Sequence, residues 1–262
     1  MTLITSNVSL RYKTSCGIIK MAKKSESSEN NNKKIHYWRH CPIGSHYVRE
    51  HSMRIPPSKK HPKGLVVTRH AHCRKNIHKT KDLLSFDEIK YISERYIKDL
   101  NGSSTMKSIK EFGKLGDEYD TLIIGWVRYW NDVLKYKEPL DPKLVKALMG
   151  SESSFKANTK PPKGAYGLMQ LMTETFAYLR DGEKTDLKNH FVDIDKAHYL
   201  DPSANICAGV RWLFRKKSIA SHNLGRDATW IEAVVYYKRY QGDPNPGGMK
   251  RFNDLYEEIN RK

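Results

Sequence analysis

The stretch "DPKLVKALMGSESSF", residues 141–155, decides how this chain folds. Asp141-Pro142 is a helix start: an N-cap carboxylate, then a proline whose missing N–H costs nothing at the first helical position. Leu144, Val145, Leu148 and Met149 then recur at helical spacing on one face. The next place on that stripe is Glu152, followed by Ser153 and Ser154. A carboxylate at that place is expected to be desolvated, and desolvation disfavours its charged form. A glutamate kept protonated near neutral pH is a general acid.

The same periodicity extends in both directions. "SFDEIKYISERYIKDL" opens on Ser85 as a cap, with Asp87 and Glu88 in the first turn. "EYDTLIIGWVRYWNDVL" carries Tyr119, Ile123, Trp126, Val127, Trp130 and Leu134 on one stripe. Further helices are predicted at about 142–152, 173–180, 202–217, 227–241 and 247–260, with Asp201-Pro202 repeating the helix start. Alternating strand patterns are almost lacking, so residues 82–262 read as one all-α domain.

Upstream the character changes. Residues 1–81 hold 18 Lys and Arg against 3 Asp and Glu, which leaves most of the chain's net charge of +18 in its N-terminal third. Such a segment suits a polyanion: nucleic acid, teichoic acid or lipid headgroups. Residues 21–34 are polar and low in complexity and read as disordered, and with Met21 as an alternative start residues 1–20 read as artefactual. Residues 35–81 contain eight of the eleven histidines and read as a basic, weakly structured arm available to an anionic polymer. Cys41 and Cys73 with two histidines are a candidate zinc set, but the spacing matches no standard finger. Four scattered cysteines without a CxxC pair give no readable disulfide framework, and Cys207 is expected to be a small core residue. A chain starting near Lys81 is expected to fold alone. No stretch has the roughly 18 apolar residues of a membrane span.

"ALMGSESSFKANTKPPKGAYGLMQLMTETF" resembles the central signature of the soluble lytic transglycosylases, whose fold is that of goose-type lysozyme. The matching residues are Glu152-Ser153, Phe155, Asn158 and Gly167-Leu168-Met169-Gln170. "DPSANICAGVRWL" is similar to the family's next segment through Asp201, Pro202, Asn205, Ile206 and Gly209. The third motif departs from pattern: most members have Tyr-Asn, whereas "VVYYKRYQG" puts Tyr237 and Lys238 there. Together these motifs occupy roughly 140–242.

The resemblance implies a lysozyme-like helical fold and a peptidoglycan lytic transglycosylase that uses no cofactor or metal. Its substrate would be the glycan strand, cut between N-acetylmuramic acid and N-acetylglucosamine. Glu152 would act alone. It would protonate the glycosidic oxygen, then take a proton from the sugar's own 6-hydroxyl to close a 1,6-anhydro ring. A glycosidase that holds an attacking water needs a second carboxylate, and none sits in a matching motif here. Ser153, Gly167, Met169, Gln170, Tyr237 and Lys238 would line the cleft, with Ser153 bonding substrate or fixing Glu152. Tyr237 would aim its hydroxyl at Glu152. Two alternatives stay open: a muramidase that uses water, and a non-catalytic binder of peptidoglycan or nucleic acid. The start carries no continuous apolar signal region, so lysis or a specialised export path is the expected route to the wall, and the location itself is left open.

Overall fold

The computed structural model describes residues 38–76, 82–100, 106–158, 164–181, 189–239 and 247–261. The expectations for residues 1–34, and those for His36 and His78, fall outside these. Within them the helices begin where the capping residues are. Ser85 accepts the Glu88 N–H to open α1 (Phe86–Ile92), which runs on through a π turn (Ser93–Ile97) and a 3-10 turn (Lys98–Leu100). After the short α2 (Lys114–Asp117) comes α3 (Asp120–Leu134), then α4 (Pro142–Ser153), capped by Asp141 through the Lys143 N–H at 2.9 Å. Helix α5 (Thr173–Arg180) precedes α6 (Pro202–Leu224), capped by Asp201 and stopped by Gly225 in the left-handed region. Helix α7 (Trp230–Tyr237) begins with a Thr229–Glu232 capping box, and α8 (Gly247–Asn260) closes the described chain.

The long α6 runs through the core, with both faces buried along most of its length. Helix α3 is fixed against it by two buried indoles. Trp126 Nε1 donates to Ser203 Oγ at 2.9 Å and Trp130 Nε1 to the Cys207 carbonyl at 3.0 Å. Cys207 is a buried free thiol, one small apolar residue among many. Helix α7 packs on α6, and α8 packs on α4.

The chain is not all-α, and residues 38–76 are not a weakly structured arm. Strand β1 (Ser45–Val48) pairs antiparallel with β4 (His72–Lys75), and β2 (His51–Ile55) with β3 (Leu65–Arg69). The two pairings share one register, so they form a single long ribbon interrupted at 49–50 and 70–71. Cys41 and Cys73 are joined in a disulfide across its base. That overturns the zinc reading, because both sulfurs are spent on each other. Four short strands follow within the helical body. β5 (Leu83–Ser85) pairs in parallel with β8 (Phe191–Asp193), and β6 (Ala165–Tyr166) pairs antiparallel with β7 (Leu171–Met172).

The ribbon's base shares the helical core. Trp38 is buried, donates to Asp132 Oδ2 at 3.2 Å and packs edge-on against Tyr96 and Tyr129. Arg39 is buried between Asp82 and Glu88 and donates from Nη2 to the Ser45 and Leu83 carbonyls, both at 3.0 Å. Glu88 is itself fully buried and accepts the backbone N–H groups of His40 and Tyr47 at 3.2 and 2.7 Å.

His190 borders this network, with Nδ1 3.1 Å from Asp82 Oδ2. Asp82 is already met by Arg39, so it does little for an imidazolium. Burial first, then the Arg211 and Arg39 guanidiniums, push the His190 pKa down to about 4. The unfolded chain binds this proton near pH 6.5, whereas the folded chain refuses it until about pH 4. The neutral imidazole therefore contributes its full stability above pH 6.5 and loses it as pH falls towards 4, by about 3 kcal/mol at most. Urea midpoints of wild type and His190→Gln at pH 7 and pH 5 test this: the variant is expected to lose less between the two. An equal loss would remove His190 from the acid sensitivity.

Candidate active site

Glu152 lies in the last turn of α4, where the helix must find partners for its final carbonyls. The serines around it serve that end. Ser151 Oγ donates to the Leu148 carbonyl at 2.8 Å and Ser153 Oγ to the Met149 carbonyl at 3.2 Å. Ser154 takes the left-handed conformation and closes the helix through its N–H to the Gly150 carbonyl. Phe155 is left-handed as well and is buried against Phe112. Two consecutive non-glycine residues at positive φ are strained, and buried packing of this kind is what holds such strain in place. Ser153 is thus committed to its own helix and does not fix Glu152.

The Glu152 side chain keeps 18% of its surface exposed, so its place on the apolar stripe buries it only in part. Its partner is Lys238, 6% exposed, whose Nζ lies 2.5 Å from Oε1 and 3.2 Å from Ser151 Oγ. A carboxylate at a helix C-terminus faces the negative end of the dipole, and Lys238 supplies the compensating cation. Lys238 is held there as the C-cap of α7, its N–H on the Val234 carbonyl.

The preceding residue does not do what was expected of it. The Tyr237 hydroxyl donates to the Met169 carbonyl at 2.7 Å, not to Glu152. Tyr237 is buried, and burial, with a lesser push from the Glu152 charge, holds its hydroxyl well above the ordinary phenol range. Its role is to fix the loop between β6 and β7, Gly167 to Gln170. Asn205 fixes the same loop from the other side. Its Oδ1 accepts the Met169 N–H at 2.8 Å, and its Nδ2 donates to the Tyr166 and Tyr199 carbonyls at 3.0 and 2.9 Å.

These contacts give physical reasons for two glycines. Gly167 has φ +70°, and a Cβ there would lie 2.5 Å from Asn205 Nδ2. A Cβ on Gly209 would lie 2.5 Å from Met169 Cγ. Gln170 is left-handed too, and its Nε2 donates back to the Gly167 carbonyl at 2.7 Å. The structure therefore brings Glu152 and Lys238 together directly and ties Tyr237 to Met169. Asn205, placed in a motif by the sequence but given no task, holds the loop. The sequence did not pair Lys238 with Glu152, since helices α4 and α7 are far apart along the chain.

Residues 130–242 match the family described as the transglycosylase SLT domain. Among solved structures, the 70 kDa soluble lytic transglycosylase of Escherichia coli matches at 18% identity and a TM-score of 0.29. The match covers 66% of this chain and 26% of that one. The complex of the 70 kDa soluble lytic transglycosylase with bulgecin A matches with the same values. This chain spans about a quarter of the length of those chains. No curated protein matches it.

Proposed function

We propose that this chain, whose residues 130–242 match the transglycosylase SLT domain, is a peptidoglycan lytic transglycosylase with a lysozyme-like catalytic domain and Glu152 as its acid and base. The observation that carries this reading is the Glu152–Lys238 pair beside the loop fixed by Asn205 and Tyr237. A bound glycan excludes water from the pair, and two charges without solvent favour proton transfer from Nζ to Oε1. The neutral acid then protonates the glycosidic oxygen, and the bond to the leaving sugar breaks. The carboxylate left behind removes the proton from the 6-hydroxyl, whose oxygen closes on the anomeric carbon. The returning Lys238 ammonium stabilises the carboxylate in the resting site. Gly167, Met169 and Gln170 form the wall that positions the sugar. The disulfide at Cys41 fits a chain that folds outside a reducing cytosol.

Digestion of purified peptidoglycan followed by mass spectrometry of the fragments tests the reaction. Products lighter by one water than hydrolytic fragments are expected, and hydrolytic masses would assign the site to a muramidase. Lys238→Met is expected to lower kcat with KM within a few-fold; an unchanged kcat would remove Lys238 from the proton step. Tyr237→Phe leaves the Met169 carbonyl without its donor. About 1–3 kcal/mol of stability and roughly tenfold in rate are expected to go with it. Tyr236→Phe, on the other side of α7, is expected to stay near wild type, and the reverse order would move the motif by one residue.

A further inference from the structure

From its distal ribbon we infer that this protein docks on an anionic lipid surface, an interaction independent of glycan cleavage. In β2 and β3, Met53 faces Val67 and Ile55 faces Leu65. Cross-strand partners project on one side of a ribbon, so these four form one apolar face. None of them belongs to the hydrophobic core or packs against it. Leu65 is 39% exposed, and Val66 on the opposite side is 66% exposed. An apolar face without a core beneath it marks an interaction site.

The charge around that face selects the partner. Residues 51–69 contain five Lys and Arg, at positions 54, 59, 60, 63 and 69, and no Asp or Glu. Among the described residues no carboxylate pairs with any of the five. The tip is an ordered turn: Ser58 and His61 exchange backbone hydrogen bonds at 3.0 Å, and Gly64 closes on the His61 carbonyl at 2.9 Å. All the tip cations are exposed. The ribbon's base, by contrast, is anchored, with Arg49 on Asp87 and the disulfide behind it. Each arm from Ser45 to Ile55 spans roughly 35 Å at ~3.4 Å per residue, enough to carry the tip away from its anchor.

A soluble polyanion would satisfy the cations and leave Met53, Ile55, Leu65 and Val67 in water. Residues 51–69 also hold no Phe, Tyr or Trp to stack on nucleic-acid bases. An anionic bilayer interface satisfies both features: acyl chains take the apolar face and phosphate headgroups take the cations.

The test is co-sedimentation of the full chain with phosphatidylcholine vesicles, with and without about a third phosphatidylglycerol. Binding is expected only with phosphatidylglycerol, and is expected to fall steeply as salt rises from about 0.1 to about 0.5 M. Replacing Lys59, Lys60 and Lys63 together by Ser is expected to weaken it about a hundredfold. Ile55→Ser with Leu65→Ser is expected to weaken it at least tenfold without changing the melting temperature, because neither side chain touches the core. Binding that survives both sets of changes would overturn the inference, as would equal binding to both vesicle types. Displacement of the protein from phosphatidylglycerol by short duplex DNA at equal phosphate would overturn it in favour of nucleic acid.

Discussion

Glu152→Gln is expected to lower the rate of glycan cleavage roughly 10²–10⁴-fold, the usual contribution of a general acid and base. The amide keeps the size of the side chain and can still accept a hydrogen bond from Lys238 Nζ. It has no proton for the glycosidic oxygen and no basicity for the 6-hydroxyl, so both steps fail together. KM is expected to stay within a few-fold, because the wall proposed for Gly167, Met169 and Gln170 is untouched. Stability is expected to fall by about 1–3 kcal/mol, because the Lys238 ammonium, 6% exposed, keeps only the amide oxygen and Ser151 Oγ as partners. Removing a negative charge from a helix C-terminus offsets part of that loss. Steady-state rates on purified peptidoglycan, with the melting temperature as a fold control, decide it. A variant within a few-fold of wild type would sink the proposed chemistry.

The second large effect is expected far from the site. Arg39→Met should cost about 3–5 kcal/mol, because it leaves the fully buried Glu88 and its neighbour Asp82 without their cation. A chain beginning at Asp82 should be weakened further. Glu88 would then lose Arg39 together with the His40 and Tyr47 N–H groups, and the helical core would lose Trp38. Urea unfolding measures the first. Limited proteolysis of the shorter chain, with sites appearing inside 82–100, measures the second. A loss under about 1 kcal/mol for Arg39→Met would show that water reaches the pair.

This network is also where sequence reading stopped. The helices were legible because their signals are local. Ser85, Asp141-Pro142 and Asp201-Pro202 each cap the helix that follows, and the apolar period marks the buried face. Glu152, Gly167, Met169, Gln170 and Tyr237 could be named because a motif is a local string. What each of them touches could not be read. The Tyr237 hydroxyl chose the Met169 carbonyl over Glu152, and Lys238 took Glu152 instead. Those choices depend on how α7 and α4 approach each other, and that approach is set by packing on α6 and α8 rather than by spacing along the chain.

The ribbon was missed for a related reason. Its strands are short and largely exposed: "HSMRI" alternates polar and apolar residues over only four positions, and "LVVTR" does not alternate. Its stability comes from Cys41 meeting Cys73, and from Trp38 and Arg39 entering a core built mainly by residues after 82. By itself the sequence determined where the helices start, that Glu152 ends the apolar stripe of α4 and where the positive charge is concentrated, since each is written in neighbouring residues. Only the tertiary structure decided that the basic segment is a folded ribbon, and that Glu152 rests against Lys238. Both are contacts between residues distant in sequence, and their energy appears only once the core has closed around them.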